Sequence, residues 1–68
     1  MKELNERLTG WREGNGWSVE VAAVKLGCAA SSLRNYENGS DPKNRAFRAR
    51  VLRILSAWER TLPVADAD

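Results

Sequence analysis

The chain has 68 residues, of which 43% are hydrophobic, and it contains no histidine and a single cysteine, Cys28. This composition excludes an internal disulfide framework and the common zinc-site spacings, and it offers no nucleophile with a neighbouring base. We therefore expect no enzyme activity, no metal and no cofactor. No apolar run approaches the roughly 20 residues that span a bilayer, and the N-terminus lacks the apolar core of a signal peptide, which predicts a soluble, cytoplasmic protein without a membrane partner.

The size and charge predict one small, modestly basic domain. A chain this short builds its core from a few well-packed helices or completes it by association, so a homodimer is expected. Residues 63–68 are polar and predict a disordered C-terminal tail, which leaves the domain at residues 1–62. Setting aside Asp66 and Asp68 in that tail raises the formal net charge from +2 to +4. This basic excess is compatible with an anionic partner.

The first predicted helix covers residues 1–12. Leu4, Leu8 and Trp11 recur at the spacing of one helical face and should point inward. The charged residues between them are expected on the solvated side, namely Glu3, Glu6 and Arg7. The next four residues, EGNG, favour turns and predict a connector.

Residues 17–39 predict two short helices that meet at a tight corner. Ser18 can cap the first of them, which runs to Leu26. Gly27 ends it, because glycine tolerates the left-handed backbone of a helix C-cap. Trp17, directly before the cap, is expected to fill the core and fix the angle at which the chain enters the helix; stacking on a ligand or a base is the alternative.

The second of these short helices covers residues 30–37. Leu33 and Tyr36 give it a narrow apolar edge and leave a polar outer face, and Asn38-Gly39 ends it. A helix, a glycine corner and a short polar-faced helix have the sequence form of a helix-turn-helix. An αα-corner used only for packing is the alternative.

The last predicted helix is the longest, covering residues 43–61, with Pro42 near its first turn and Pro63 beyond its end. Its apolar residues lie on one arc: Phe47, Val51, Ile54, Leu55, Trp58 and Leu62. Leu52 falls outside that arc. It is either a single exposed leucine or part of a dimer surface. That candidate dimer surface comprises Leu52, Leu55, Trp58 and Leu62.

From Arg12 onward the chain reads R-x-x-x-G-W-S-x-E-x-x-A-x-K-L-G-x-x-x-S-x-L-x-x-Y-E-N-G. This pattern resembles the Cro/repressor-type helix-turn-helix domain, the lambda repressor-like or XRE family of phage and bacterial regulators, over residues 4–42. Family domains commonly break the last region into two helices, whereas here it reads as continuous. We therefore predict a compact, all-α, lambda repressor-like domain with four helices rather than five.

The resemblance implies sequence-specific DNA binding, with residues 30–36 as a recognition helix in the major groove. Four side chains on its first two turns are the candidates for base readout: Ala30, Ser31, Arg34 and Asn35. Asn35 could pair with adenine and Arg34 with guanine or a phosphate, Ser31 could serve several bases, and the Ala30 methyl could touch a thymine methyl.

The resemblance also implies a grip on the DNA backbone. Helix N-termini attract phosphates, which adds the start of the first motif helix to the loop after the recognition helix. The expected phosphate contacts are Ser18, Asn38, Gly39, Ser40, Lys43, Asn44 and Arg45. A basic run without acidic residues comprises Lys43, Arg45, Arg48, Arg50 and Arg53, and a solvated helix face is its alternative interpretation. Only the residues nearest Pro42 are expected to share a surface with the recognition helix, which includes Lys43 and Arg45 but not Arg53.

Charged residues at two positions of the family pattern often pair internally, and Arg12 and Glu37 occupy those positions. We predict an Arg–carboxylate fork that orients the recognition helix, in preference to direct DNA contact. Two departures weaken the resemblance. Val19 replaces a glutamine that touches phosphate in the family, and Cys28-Ala29 replaces a polar cap.

The predicted function is that of a small transcriptional regulator, a Cro-like repressor that binds a double-stranded DNA operator as a homodimer without a small-molecule ligand. The alternative is an antitoxin-like or accessory protein-interaction module on the same scaffold. Val19, Val21 and Val24 are apolar where family members are commonly polar, and together with Leu52 they would supply its surface.

Overall fold

The computed structural model describes residues 3–62, and within that range it contains four α-helices and no strand. They are α1 (Leu4–Gly14), α2 (Val19–Leu26), α3 (Ala30–Glu37) and α4 (Arg45–Thr61). The prediction of an all-α domain with four helices is confirmed. The predicted tail at residues 63–68 lies outside the described residues.

Helix α1 ends two residues later than the sequence predicts. The predicted connector began at Glu13, but the helix includes both Glu13 and Gly14. The reason is tertiary packing: a Cβ built on Gly14 would lie 2.8 Å from the ring of Trp58, so the indole of α4 lies directly on this last turn. The Asn15 side chain then donates to the Trp11 carbonyl at 2.7 Å, and the Asn15 backbone N–H donates to the same oxygen at 3.3 Å.

The start and end of α2 follow the predicted signals. The Ser18 hydroxyl accepts a hydrogen bond from the backbone N–H of Val21 at 3.2 Å. Gly27 has φ +84° and donates its N–H to the Ala23 carbonyl at 2.8 Å, as expected of a left-handed C-cap. Trp17 is half-buried against the core, and its ring lies 5.1 Å from that of Trp11 in an edge-on arrangement.

Helix α3 begins without a side-chain cap, because its N-cap residue, Ala29, has no polar atom to offer. It ends at Glu37, as predicted. Asn38 keeps a right-handed φ of −88°, and the left-handed turn falls on Gly39 alone, at φ +115°. The sharp reversal after α3 therefore depends on the glycine.

Helix α4 starts at Arg45, so the prediction of a start at residue 43, directly after Pro42, is wrong. Asn44 is the N-cap, and its side-chain oxygen accepts from the N–H of Phe47 at 2.9 Å. Pro42 is buried in the connector before the helix. The cap, rather than the proline, fixes where the helix begins.

The core is formed by eight apolar side chains from all four helices: Leu8, Trp11, Ala22, Ala23, Leu26, Leu33, Val51 and Leu55. The two alanines are at most 2% exposed, so α2 presents its smallest side chains to its neighbours. Leu55 is fully buried, which corrects its assignment to a dimer surface: it already packs inside its own protomer.

A second correction concerns Arg7, expected on the solvated side of α1. Its guanidinium donates two hydrogen bonds to the carboxylate of Glu59, both at 2.8 Å, and a longer one to the Ser56 hydroxyl at 3.5 Å. The hydrogen bonds to Glu59 raise the pKa of Arg7 further above neutrality. This fork links the first half of α1 to the last turns of α4 and holds the two helices together.

Candidate nucleic-acid interface

The outer surface of α3 is polar and open. Of the predicted base-reading residues, Ser31, Arg34 and Asn35 are exposed on it. Ala30 is half-buried and packs against the core, so its methyl group offers less surface than expected. On the opposite side Leu33 is 0% exposed and anchors the helix in the core.

The predicted pair between Arg12 and Glu37 is present and fixes the C-terminal end of α3. Arg12 Nε donates to Glu37 Oε2 at 2.8 Å, and Nη2 donates to Oε1 at 3.1 Å. The remaining terminal nitrogen donates to the carbonyl of Trp17 at 3.3 Å. The hydrogen bonds to Glu37 raise the pKa of Arg12, and the two side chains are only 18% and 12% exposed. The fork therefore ties α1, the connector before α2 and the end of α3 together.

A second link between α3 and its neighbour escaped the sequence analysis. Arg34 Nη2 donates to Glu20 Oε2 at 2.7 Å, and both side chains are more than half exposed, at 54% and 64%. A hydrogen bond from its own backbone N–H, together with the positive charge of Arg34, lowers the pKa of Glu20. The sequence contains no local signal for this pair, because its members lie 14 residues apart on different helices.

The predicted phosphate contacts are all exposed: Ser18, Asn38, Gly39, Ser40, Lys43, Asn44 and Arg45. Ser18 and Asn44 use an oxygen to cap a helix, but the Ser18 O–H and the Asn44 amide N–H remain available as donors. Among residues 3–62, neither Lys43 nor Arg45 has a carboxylate within ion-pair distance. Both cations are therefore free to meet an anion.

Arg50 lies against the corner of the helix-turn-helix. A Cβ built on Gly27 would be 3.3 Å from Arg50 Nη1, so the guanidinium covers the glycine closely. Beside it, an open pocket between α3 and α4 is lined by Cys28, Tyr36, Asn44, Ala46, Phe47 and Arg50. Burial raises the pKa of the Cys28 thiol, which keeps it protonated at neutral pH. The sequence placed Arg50 only in a basic run.

Exposed apolar side chains cluster less than the sequence predicted. Val24 is 78% exposed and Val21 43% exposed on α2, whereas Val19 is half-buried against the core. Of the residues assigned to a dimer surface, Leu52 and Trp58 are half-buried and Leu62 is 43% exposed. Without Leu55, a smaller set of incompletely buried apolar residues remains: Leu52 and Trp58 on α4 and Leu62 directly after it.

The described helices are too short or too polar for any of them to cross a membrane. A protein-family model described as "Helix-turn-helix domain" matches residues 3–63, which is most of the chain. No curated protein and no solved structure matches the chain.

Proposed function

Because the chain belongs to the helix-turn-helix domain family, a family of DNA-binding domains, we propose that it is a transcriptional regulator of the Cro type that represses by occupying a double-stranded DNA operator. The observation that carries this proposal is the geometry of α3. One side of the helix is anchored by Leu33 and the Arg12–Glu37 fork, and the other side presents Ser31, Arg34 and Asn35 to solvent. A rigidly held helix with polar side chains on its outer face fits the major groove.

The backbone contacts would come from two directions around α3. The N-terminus of α2 offers the Ser18 hydroxyl and the positive end of a helix dipole. The connector after α3 and the start of α4 offer Asn44, Lys43 and Arg45. Phosphates gripped on both sides would fix the register of α3 without reading sequence themselves.

We further propose that the protein acts as a symmetric homodimer on two half-sites about one helical turn, or ~34 Å, apart. The partial exposure of Leu52, Trp58 and Leu62 supports this, since their own protomer leaves these apolar side chains incompletely covered. Activity would then depend on protein concentration and operator occupancy, without catalysis or a bound ligand.

Selection of bound sequences from a random DNA pool tests the proposal. We expect a palindromic motif whose binding weakens steeply with salt, with a log–log slope of about −0.9 for each phosphate contact. Failure to enrich any motif at low salt would refute specific DNA binding. A motif with a single half-site, together with a monomeric mass by light scattering, would refute the dimer.

A second function has its own observation, the 78% exposure of Val24 beside the exposed Val21 on α2. Such a surface would suit an antitoxin-like or accessory protein that binds another polypeptide. Its binding would depend little on salt, because an apolar interface releases no counterions. Val24→Ser would weaken that association and leave DNA binding unchanged, which separates the two functions.

A further inference from the structure

We propose that Glu20 is a specificity-determining residue that positions Arg34 for base readout. The inference rests on the proposed DNA binding and goes beyond it, because it assigns a role in recognition to an acidic side chain on α2 that would itself repel DNA. The observation behind it is the hydrogen bond of 2.7 Å between Arg34 Nη2 and Glu20 Oε2 across the helix-turn-helix corner.

The contact restrains the Arg34 side chain but leaves most of its N–H donors available. It uses one N–H of one terminal nitrogen, and arginine carries further N–H donors in a fixed planar fork. The rest of the guanidinium remains exposed, as the 54% exposure of the side chain indicates. A tethered fork loses less side-chain freedom on binding a base than a free one, so the tether would favour binding in one geometry over others.

The pair does little for the fold, which makes its role open to a clean test. Both side chains are more than half exposed, and ion pairs of this kind contribute little to stability because water screens them. Leu33 and the Arg12–Glu37 fork anchor α3 to the rest of the fold. Removing the Glu20 carboxylate should therefore leave the thermal midpoint unchanged.

A positioning role and simple charge repulsion predict different effects on base discrimination. Glu20 lies in the first turn of α2, beside Ser18 and the proposed phosphate site. If it only repelled DNA, its removal would strengthen binding to every sequence by the same factor. If it positions Arg34, removal would strengthen binding to unrelated DNA but weaken discrimination at the base pair that Arg34 reads.

The experiment compares Glu20→Ala, Glu20→Gln and Arg34→Ala on the selected operator, on a panel of its single-base variants and on unrelated duplex DNA. For Glu20→Ala we expect affinity for unrelated DNA to rise about twofold or more, because one repelling charge is lost. Discrimination should fall roughly fivefold or more at a single base pair, the one that Arg34→Ala also affects. Glutamine can still accept from Arg34, so Glu20→Gln should retain part of the discrimination.

Two controls identify the cause. Glu6→Gln removes the same charge from α1, where glutamine can still accept from the Glu3 N–H, and it should leave base preference unchanged. In the Arg34→Ala background, Glu20→Ala should cause no further loss of discrimination, because its partner is already gone.

Unchanged base preference in Glu20→Ala at every operator position would overturn the inference, as would an equal gain in affinity for all sequences. These results differ from failure of the proposed function, in which the wild-type protein itself selects no motif.

Discussion

Two arginine–glutamate pairs link α3 to the rest of the molecule, one on its inner side and one on its outer side, and they differ chiefly in burial. The Arg12–Glu37 fork has two hydrogen bonds and side chains 18% and 12% exposed, whereas the Arg34–Glu20 pair has a single contact and side chains 54% and 64% exposed. In the first, each partner depends on the other because water cannot replace it. In the second, water or DNA can replace either partner. The same chemistry therefore stabilises the fold on one side and remains available for binding on the other.

The largest effect should come from the inner side of α3. Leu33→Ala removes a fully buried side chain and leaves a cavity, so we expect a loss of about 2–5 kcal/mol in the free energy of unfolding. Chemical denaturation measures it, and DNA binding should disappear with the fold. Leu33→Met keeps the volume and should cost less than about 1.5 kcal/mol. If Leu33→Ala cost no more than Leu33→Met, α3 would not be anchored through this residue.

The inner fork should come next. Arg12→Ala leaves the Glu37 carboxylate largely buried without its partner, and we expect a loss of about 2–3 kcal/mol in the free energy of unfolding. DNA affinity should fall in parallel, because α3 loses its orientation. Arg12→Lys keeps the charge but not the fork and should be intermediate. An alanine variant with an unchanged thermal midpoint and lost DNA binding would show instead that Arg12 contacts DNA directly.

On the outer side, substitutions should change recognition without changing stability. The Asn35 side chain is exposed and does not cap either end of α3. Asn35→Ala should relax base preference at one operator position by about 1–3 kcal/mol. Selection of bound sequences with the variant measures it. A motif identical to that of the wild-type protein would remove Asn35 from the residues that read bases.

The smallest effect should come from the backbone grip beyond α3. Lys43→Ala and Arg45→Ala should each weaken binding to all sequences alike and reduce the salt slope by about 0.9, the value for one lost phosphate contact. Arg53→Ala is the control, because Arg53 is also exposed but lies farther along α4. An equal change in slope for Arg53 would show that the effect comes from net charge rather than from position.

The helix-turn-helix corner was determined by the sequence alone. Ser18 as cap, Gly27 as left-handed C-cap and the end of α3 at Glu37 are all found where predicted, since each depends on interactions within a few residues. The exposure of Ser31, Arg34 and Asn35 follows from the same helical period. Their roles in base readout stay predictions.

Only the tertiary structure decided which distant side chains meet. Trp58 extends α1 to Gly14, and Leu55 is buried in its own protomer rather than left for a second copy. Arg7 forms a hydrogen bond with Glu59, 52 residues away in sequence, and Arg34 forms one with Glu20, 14 residues away. The physical reason is that long charged side chains carry no local signal for their partner. Helical period places such a residue on a face, but the packing of one helix against another determines what that face meets.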